Sequence, residues 1–404
     1  MDREAAKSGD RSELISLMEP LTIVENSRHR AGLTDLAFDL GQKAAGFRRS
    51  LPASLLASLA TLVRSMNCYY SNLIEGHDTH PVDIERALKE DYSKDARKRD
   101  LQLEARAHIA VQTWIDEGGL RNRAVTSEGI CETHRRFCER LPEDLLFVPD
   151  PVTGKRITVV PGELRERDVE VGRHLAISPG AVPRFMERFE NIYGSLGKTD
   201  AILSAAAAHH RLLRIHPFLD GNGRVARLMS HAILLDLLDT GAVWSVARGL
   251  ARNANEYKQH LANCDLPRRN DLDGRGNLSE EALADFTRFF LTVCIDQVTF
   301  MESLMQPDRL RTRILLWVEE EIRLGALPQK SGAILEAVLY RGELPRGEAA
   351  GVVGGSERNA RRIVSSLIDV GVLVSESSRA ALHLAFPAAL ASRWMPGLFP
   401  DKVE

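Results

Sequence analysis

Apolar side chains recur at intervals of three and four along most of the chain. In SLLASLATLVRSMNCYYSNLIEG, residues 54–76, Leu55, Leu59, Leu62, Met66, Tyr69 and Leu73 fall on one stripe, and Leu56, Val63, Tyr70 and Ile74 widen it. That period predicts an amphipathic helix, with Gly76 as its C-cap. One narrow strip of it stays non-apolar: Arg64, Cys68, Ser71 and Glu75. On periodicity alone the strip reads as a solvated face. The same period predicts helices over 81–91, 100–117, 126–140, 182–194 and 279–305, and through the Ala-rich run TDAILSAAAAHHRLLRI. Small alanines in that run would let neighbouring helices approach closely.

The pattern breaks twice. PDPVTGKRITVVPGELRERDVEVGRHLAISPGAVP has proline and glycine interruptions with short β-branched runs, which predicts a hairpin. Its VTGKR lacks the leading glycine of a phosphate loop. Beyond residue 306 the pattern reads as helix, glycine turn, helix and two short strands, the outline of a helix-turn-helix with a wing. Ser356 is placed to cap the second of those helices, and Arg358, Arg361 and Arg362 lie near its start. The chain is therefore expected to be mostly α, with a helical N-terminal region over 1–110, a core over 111–305 and a winged-helix-like unit over 306–404.

Composition narrows the class. The 404 residues are 44% hydrophobic with a formal net charge of −3, which fits a globular chain and demands neither a polyanion nor a membrane as partner. No stretch reaches the ~18 uninterrupted apolar residues of a membrane span, and the first residues, MDREAAKSGD, lack the apolar core of a secretory signal. Cys68, Cys131, Cys138, Cys264 and Cys294 are dispersed and odd in number. Such a set predicts reduced thiols in a cytoplasmic protein.

The densest polar cluster is IHPFLDGNGRVARLMSHAILLDLL, residues 215–238. Pro217 ends the Ala-rich helix just after His216, and a new helix starts near Asn222 or Gly223. The first N–H groups of a helix lack intrahelical partners and, with the helix dipole, form an anion site. Gly221 and Gly223 let phosphate oxygens approach the main chain. Arg224 and Arg227, three apart, share a face and converge on a multiply charged anion. Asp220 would repel that anion unless a divalent cation bridged them, so Mg²⁺ is implied. His216 at the rim is a candidate general base, and Phe218 a core anchor for the loop. Together these parts suit attack on a phosphate.

HPFLDGNGRVAR resembles the signature of the Fic family at every defined position: His216, Phe218, Asp220, Gly221, Asn222, Gly223, Arg224 and Arg227. The resemblance covers roughly residues 65–260. It implies a Fic helical core with a β-hairpin flap, and transfer of AMP from ATP to a Ser, Thr or Tyr hydroxyl of a target protein. His216 would then deprotonate the hydroxyl and Asp220 would hold Mg²⁺ between the α- and β-phosphates. The amides around Asn222 and Gly223 would stabilise developing charge, and Arg224 and Arg227 would grip the β- and γ-phosphates. Gly223, where the related Doc-type kinases carry lysine, favours adenylyl transfer. Asn255 and Tyr257, downstream, are candidates for the adenine end. The flap, over 155–177, would hold the target segment by strand addition.

SNLIEG is similar to the Fic inhibitory signature, filled by Ser71, Glu75 and Gly76. A carboxylate reaching the phosphate site would pair with Arg227, so that the arginine could not also bind the γ-phosphate. Because this motif precedes the core, the chain resembles the Fic class with an N-terminal inhibitory helix. Some relatives also remove AMP, with the inhibitory glutamate activating water, and proteins of this kind often pair as homodimers. Two other readings stand beside this one: a DNA-binding regulator with a nucleotide-sensing Fic unit, and a Fic enzyme that transfers another nucleotide-derived group. For the tail, Glu336, Glu343, Glu348 and Glu357 dilute its basic cluster, which favours protein docking over DNA contact. His134, His209, His210 and His231 are expected to be packing or solvated residues, not metal ligands.

Overall fold

The computed structural model describes residues 9–150, 153–171 and 174–400. Helices dominate, in the places where the apolar period runs. α1 (Arg30–Ser50), α2 (Ala53–Ile74), α3 (Pro81–Leu88), α4 (Ala96–Asp116) and α5 (Ser127–Cys138) come first. Two antiparallel hairpins follow, β1 (Phe147–Pro149) with β2 (Arg156–Thr158), and β3 (Glu170–Val171) with β4 (His174–Leu175). The second falls within the segment expected to form the flap. Then come α6 (Val182–Tyr193), α7 (Lys198–Ile215), α8 (Asn222–Leu238), α9 (Val246–Arg252), α10 (Ala254–Cys264) and α11 (Glu280–Leu304). The C-terminal part holds α12 (Pro307–Arg323), α13 (Ser331–Arg341), α14 (Ala349–Val353), α15 (Glu357–Asp369), the hairpin β5 (Leu373–Val374) with β6 (His383–Leu384), and α16 (Ala391–Trp394).

The centre is the pair α7 and α8, crossed by α11, which also packs on α1, α9 and α10. Ala205, Ala206, Ala207 and Ala208 are each only 1% exposed, so the Ala-rich run does bring its neighbours close. Phe218, Phe286, Phe290 and Leu212 fill the space around it. The loop between α7 and α8 is bounded by two left-handed residues, His216 (φ 51°) and Gly221 (φ 80°). For a histidine that conformation is uncommon and costs free energy.

α2 connects the two halves of the molecule. It packs on α4 and α9 on one side and touches β6 on the other. Ser54 Oγ donates to the Gly342 carbonyl at 2.6 Å, and Tyr70 Oη to the Leu398 carbonyl at 2.9 Å. The Tyr69 ring meets Phe399 edge-on, with centroids 5.6 Å apart. The polar strip of α2 is therefore not a solvated face. Cys68 and Ser71 are fully buried, and Arg64 Nε donates to Asp116 of α4 at 2.7 Å. Arg64 and Glu75 carry charge, but both turn it toward protein partners, which periodicity alone could not reveal.

In the C-terminal part, Gly354 (φ 58°) turns the chain from α14 into α15, and Ser356 Oγ caps α15 by accepting from the Asn359 amide. Arg358, Arg361 and Arg362 are exposed on α15, with Arg361 paired to Glu357. Among the described residues no helix is long and apolar enough to cross a membrane, and the five cysteines are free thiols.

The packing of α9 on α11 depends on Gly249, where an added Cβ would lie 2.2 Å from Val293 Cγ1. Gly249→Ala is expected to destabilise the chain by about 1–3 kcal/mol through overpacking. A melting temperature equal to that of the parent would contradict this.

Candidate active site

The loop before α8 is shaped from inside. Asn222 is buried, and its amide side chain bonds the main chain of Phe218 twice: Oδ1 accepts from the Phe218 N–H (3.0 Å) and Nδ2 donates to the Phe218 carbonyl (2.8 Å). Its side chain thus closes the loop and leaves only its backbone for an anion. Phe218 is itself buried beneath the His134 ring, stacked with centroids 3.9 Å apart. His134 Nδ1 accepts from the Gly162 N–H at 2.9 Å. Burial pushes the His134 imidazole down to about 4, against hydrogen bonding to the Asp220 backbone, so the ring is neutral at pH 7. His134 is thus a packing residue as expected, and its work is to hold the loop. Asp220 is exposed at the loop's outer edge.

His216 lies at the C-cap of α7, with its N–H on the Leu212 carbonyl (2.9 Å) and its Nδ1 3.3 Å from the Leu213 carbonyl. Arg165, only 3% exposed, reaches under it. Arg165 Nε donates to the His216 carbonyl at 2.7 Å, and the Arg165 N–H donates to the Pro217 carbonyl at 2.9 Å. No periodicity or motif pointed to this arginine.

Arg224 and Arg227 project from the first turns of α8, with side chains 8% and 4% exposed. Both are engaged. Arg227 Nε donates to Ser71 Oγ (2.9 Å), and its Nη2 bonds the Ser71 carbonyl (3.2 Å) and the Glu75 carboxylate. The C-terminal turn of α2, negative by its dipole, therefore meets the guanidinium with a hydroxyl, a carbonyl and a carboxylate. Burial works against a charged Glu75, but the charge and hydrogen bond of Arg227 outweigh it and hold the carboxyl below its usual range. Gly76 (φ 85°) follows in the left-handed conformation that ends the helix. A Cβ on Gly223 would lie 2.4 Å from Glu75 Oε1. The Glu75 carboxylate therefore rests directly against the first turn of α8.

Arg224 has a partner that sequence reasoning missed. Its Nη2 donates to Glu104 Oε2 of α4 at 2.7 Å, and the same oxygen lies 2.9 Å from His77 Nδ1. The hydrogen bond to Glu104 favours the charged imidazole, outweighs burial, and raises His77 above the ordinary histidine range.

Asn255 is exposed on α10, whereas Tyr257, two residues on, is buried. Tyr257 Oη donates to His209 Nε2 (2.7 Å), whose Nδ1 is 2.9 Å from Ser230 Oγ; Ser230 in turn donates to the Ala226 carbonyl (2.9 Å). Burial and the nearby Arg227 charge push His209 down to about 3, and burial pushes Tyr257 up to about 12. This neutral chain lies behind Arg227, on the side away from solvent. His231 bonds Asp116 (2.7 Å) and His210 lies 3.2 Å from the Leu261 carbonyl. Among the described residues no group of three or more His, Cys, Asp or Glu is placed to hold a metal ion.

The family model for the Fic/DOC family matches residues 124–234, the span from the entry of α5 through most of α8. Over 169 residues the chain is 30% identical to proteins named protein adenylyltransferase Fic from Drosophila erecta and Drosophila grimshawi; the match covers 41% of this chain and 31% and 32% of those two. The chain thus spans about a third of the length of the curated relatives it matches. A solved Fic family protein from Desulfovibrio desulfuricans shares the fold at a TM-score of 0.50 and 16% identity, over 88% of this chain and 96% of that one. Fic-1 (residues 134–508) from C. elegans does so at 0.50 and 17%, over 68% and 73%. The loop, the two arginines and the left-handed histidine all lie within the segment that matches the Fic/DOC family model.

Proposed function

We propose that this chain transfers AMP from ATP to a Ser, Thr or Tyr hydroxyl of a target protein, and that Glu75 inhibits the transfer. The observation that carries the reading is the engagement of Arg227 by Glu75 and Ser71 at the open end of α8. The names of the curated relatives, protein adenylyltransferase, supply the chemistry. ATP phosphates would meet the amides of Gly221, Asn222 and Gly223, with Arg224 and Arg227 as clamps. The target oxygen attacks the α-phosphorus as its bond to pyrophosphate breaks, and His216 takes the hydroxyl proton. Mg²⁺ would neutralise charge on the α- and β-phosphates. A cation of that kind takes one or two carboxylates plus substrate phosphates, which a single exposed Asp220 fits.

The exposed edge of α10 at Asn255 would take the adenine end, while Tyr257 acts from beneath through His209. The β3–β4 hairpin would bind the target's backbone by strand addition. Glu75, once freed, could activate water to remove AMP. The unit over 306–404 fits a winged-helix module used for protein docking in a cytoplasmic enzyme. In the inhibited state Glu104 occupies Arg224 much as Glu75 occupies Arg227.

Glu75→Gly is expected to raise AMP transfer ~5–150-fold, the range of coupling energies of about 1–3 kcal/mol, read as label from α-labelled ATP. Unchanged incorporation would remove Glu75 from the inhibition. His216→Ala in that background should lower transfer by about 10²–10⁴-fold while ATP binding persists; retained transfer would take away the base. The His77–Glu104 pair also gives a pH signature. His77 is raised above 6.5, so its contribution to stability is full below 6.5 and fades as pH rises through the higher folded value. His77→Gln should flatten that part of the melting-temperature profile, and an unaltered profile would count against the pair.

A further inference from the structure

The left-handed His216 needs something to hold it. A non-glycine residue in that region persists only where its surroundings over-determine it. Hydrogen bonds from Asn222 fix the far end of the loop, at Phe218. At the near end the donor is Arg165. Its guanidinium bonds four main-chain carbonyls: His216 (2.7 Å), Arg167 (2.8 Å), Ile215 (3.4 Å) and Ile177. Its own N–H adds the Pro217 carbonyl (2.9 Å). Three consecutive carbonyls, 215 to 217, therefore point at one residue.

The other two acceptors belong to a different part of the chain. Arg167 precedes β3 and Ile177 follows β4, so they bracket the hairpin proposed to take the target. One buried side chain ties the base of that hairpin to the backbone of the proposed general base. Among the described residues its hydrogen-bond acceptors are all neutral carbonyls, and the carboxylates of Asp168 and Glu13 act on its charge only through space. An arginine buried in this way is costly unless every donor is used, and the planar fork suits several acceptors at fixed angles in a way lysine cannot. Burial pulls its guanidinium down to about 10, still charged at pH 7.

We propose that Arg165 is a positioning residue for AMP transfer, setting the His216 imidazole relative to the β3–β4 hairpin so that the bound target hydroxyl and its base meet in register. It touches neither nucleotide nor target. This rests on the adenylyl-transfer reading and adds the element that aligns its two halves. Misalignment of a reacting pair by about 1 Å costs on the order of 10²-fold in rate. The effect would fall on kcat, since the phosphate cradle at Gly221–Arg227 is built by Asn222, Phe218 and His134.

The test is made in the Glu75→Gly full-length chain, comparing Arg165→Met and Arg165→Lys with the parent. kcat and KM are measured for ATP and target, with ATP affinity measured by calorimetry on the same samples. The expected result is kcat lower by about 10²-fold in Arg165→Met and only partly restored in Arg165→Lys, with ATP affinity within about twofold of the parent. A kcat within threefold of the parent would overturn the proposal. So would a parallel loss of ATP binding or of the folded state in both variants, which would make Arg165 a residue of the fold alone. A Glu75→Gly parent that transfers no AMP would instead reject the adenylyl-transfer reading, and this proposal would fall with it.

Discussion

Arg224 and Arg227 are almost completely buried at the start of α8, and a guanidinium withdrawn from water must have anions or carbonyls around it. The whole arrangement of α2 and α4 against α8 answers that requirement. Glu104 comes from α4, and Glu75 with the Ser71 hydroxyl and carbonyl from α2. Further along, Asp116 of α4 joins Arg64 of α2 to His231 of α8. Glu104 and Glu75 balance the two guanidinium charges, so the helices can close tightly. Under the proposed function, an incoming triphosphate would replace one set of oxygens by another, although the buried Arg224 Nε has no hydrogen-bond partner among the described residues. Under that same function, a carboxylate from a neighbouring helix would compete with phosphate for the same donors in the same low-dielectric surroundings.

The last turn of α2 is also held from behind. Tyr69 and Tyr70 immediately precede Ser71, and they meet Phe399 and the Leu398 carbonyl. Arg248 of α9 donates to the Gly397 carbonyl at 2.6 Å and lies 3.7 Å from the Phe300 ring centroid of α11. The last turn of α2 is thereby fixed between α8 and the segment that follows α16. Glu75 is the one member of the set with substantial exposure, 35% of its side chain. The carboxylate is reachable while the helix that carries it is not.

Elements and motif were legible in the sequence, and their partners were not. Apolar spacing located α2, α5, α6 and α11 to within a few residues, while α7 and α8, buried on nearly every side, were marked by the Ala-rich run and the glycine turn. The loop residues from His216 to Arg227 were legible because they are contiguous and chemically unusual. The missed residues act across long separations. Glu104 lies 120 positions from Arg224, and Arg165 lies 51 from His216. Glu104 stands on a charged helix that shows nothing special, and Arg165 sits in an irregular stretch with no period to mark it as buried. On periodicity alone the strip Arg64–Cys68–Ser71–Glu75 reads as solvated for the same reason, and only the resemblance at Ser71 and Glu75 points it inward. A polar stripe facing polar partners has the same spacing as one facing water, and only the partners distinguish them.

Gly223 shows how little room separates the Glu75 carboxylate from the start of α8. Glycine is unfavourable inside a helix by about 1 kcal/mol relative to alanine, yet it occupies the second residue of α8. Its φ is ordinary, so the reason is room and not conformation. An added Cβ would be 2.4 Å from Glu75 Oε1 and 3.1 Å from Arg227 Nη1. A Cβ there would force the Glu75 carboxylate, the far end of a flexible side chain, to shift from its place against the start of α8. Under the proposed function the same space would admit a phosphate oxygen to the first-turn amides, so that one glycine would serve the two anions in turn.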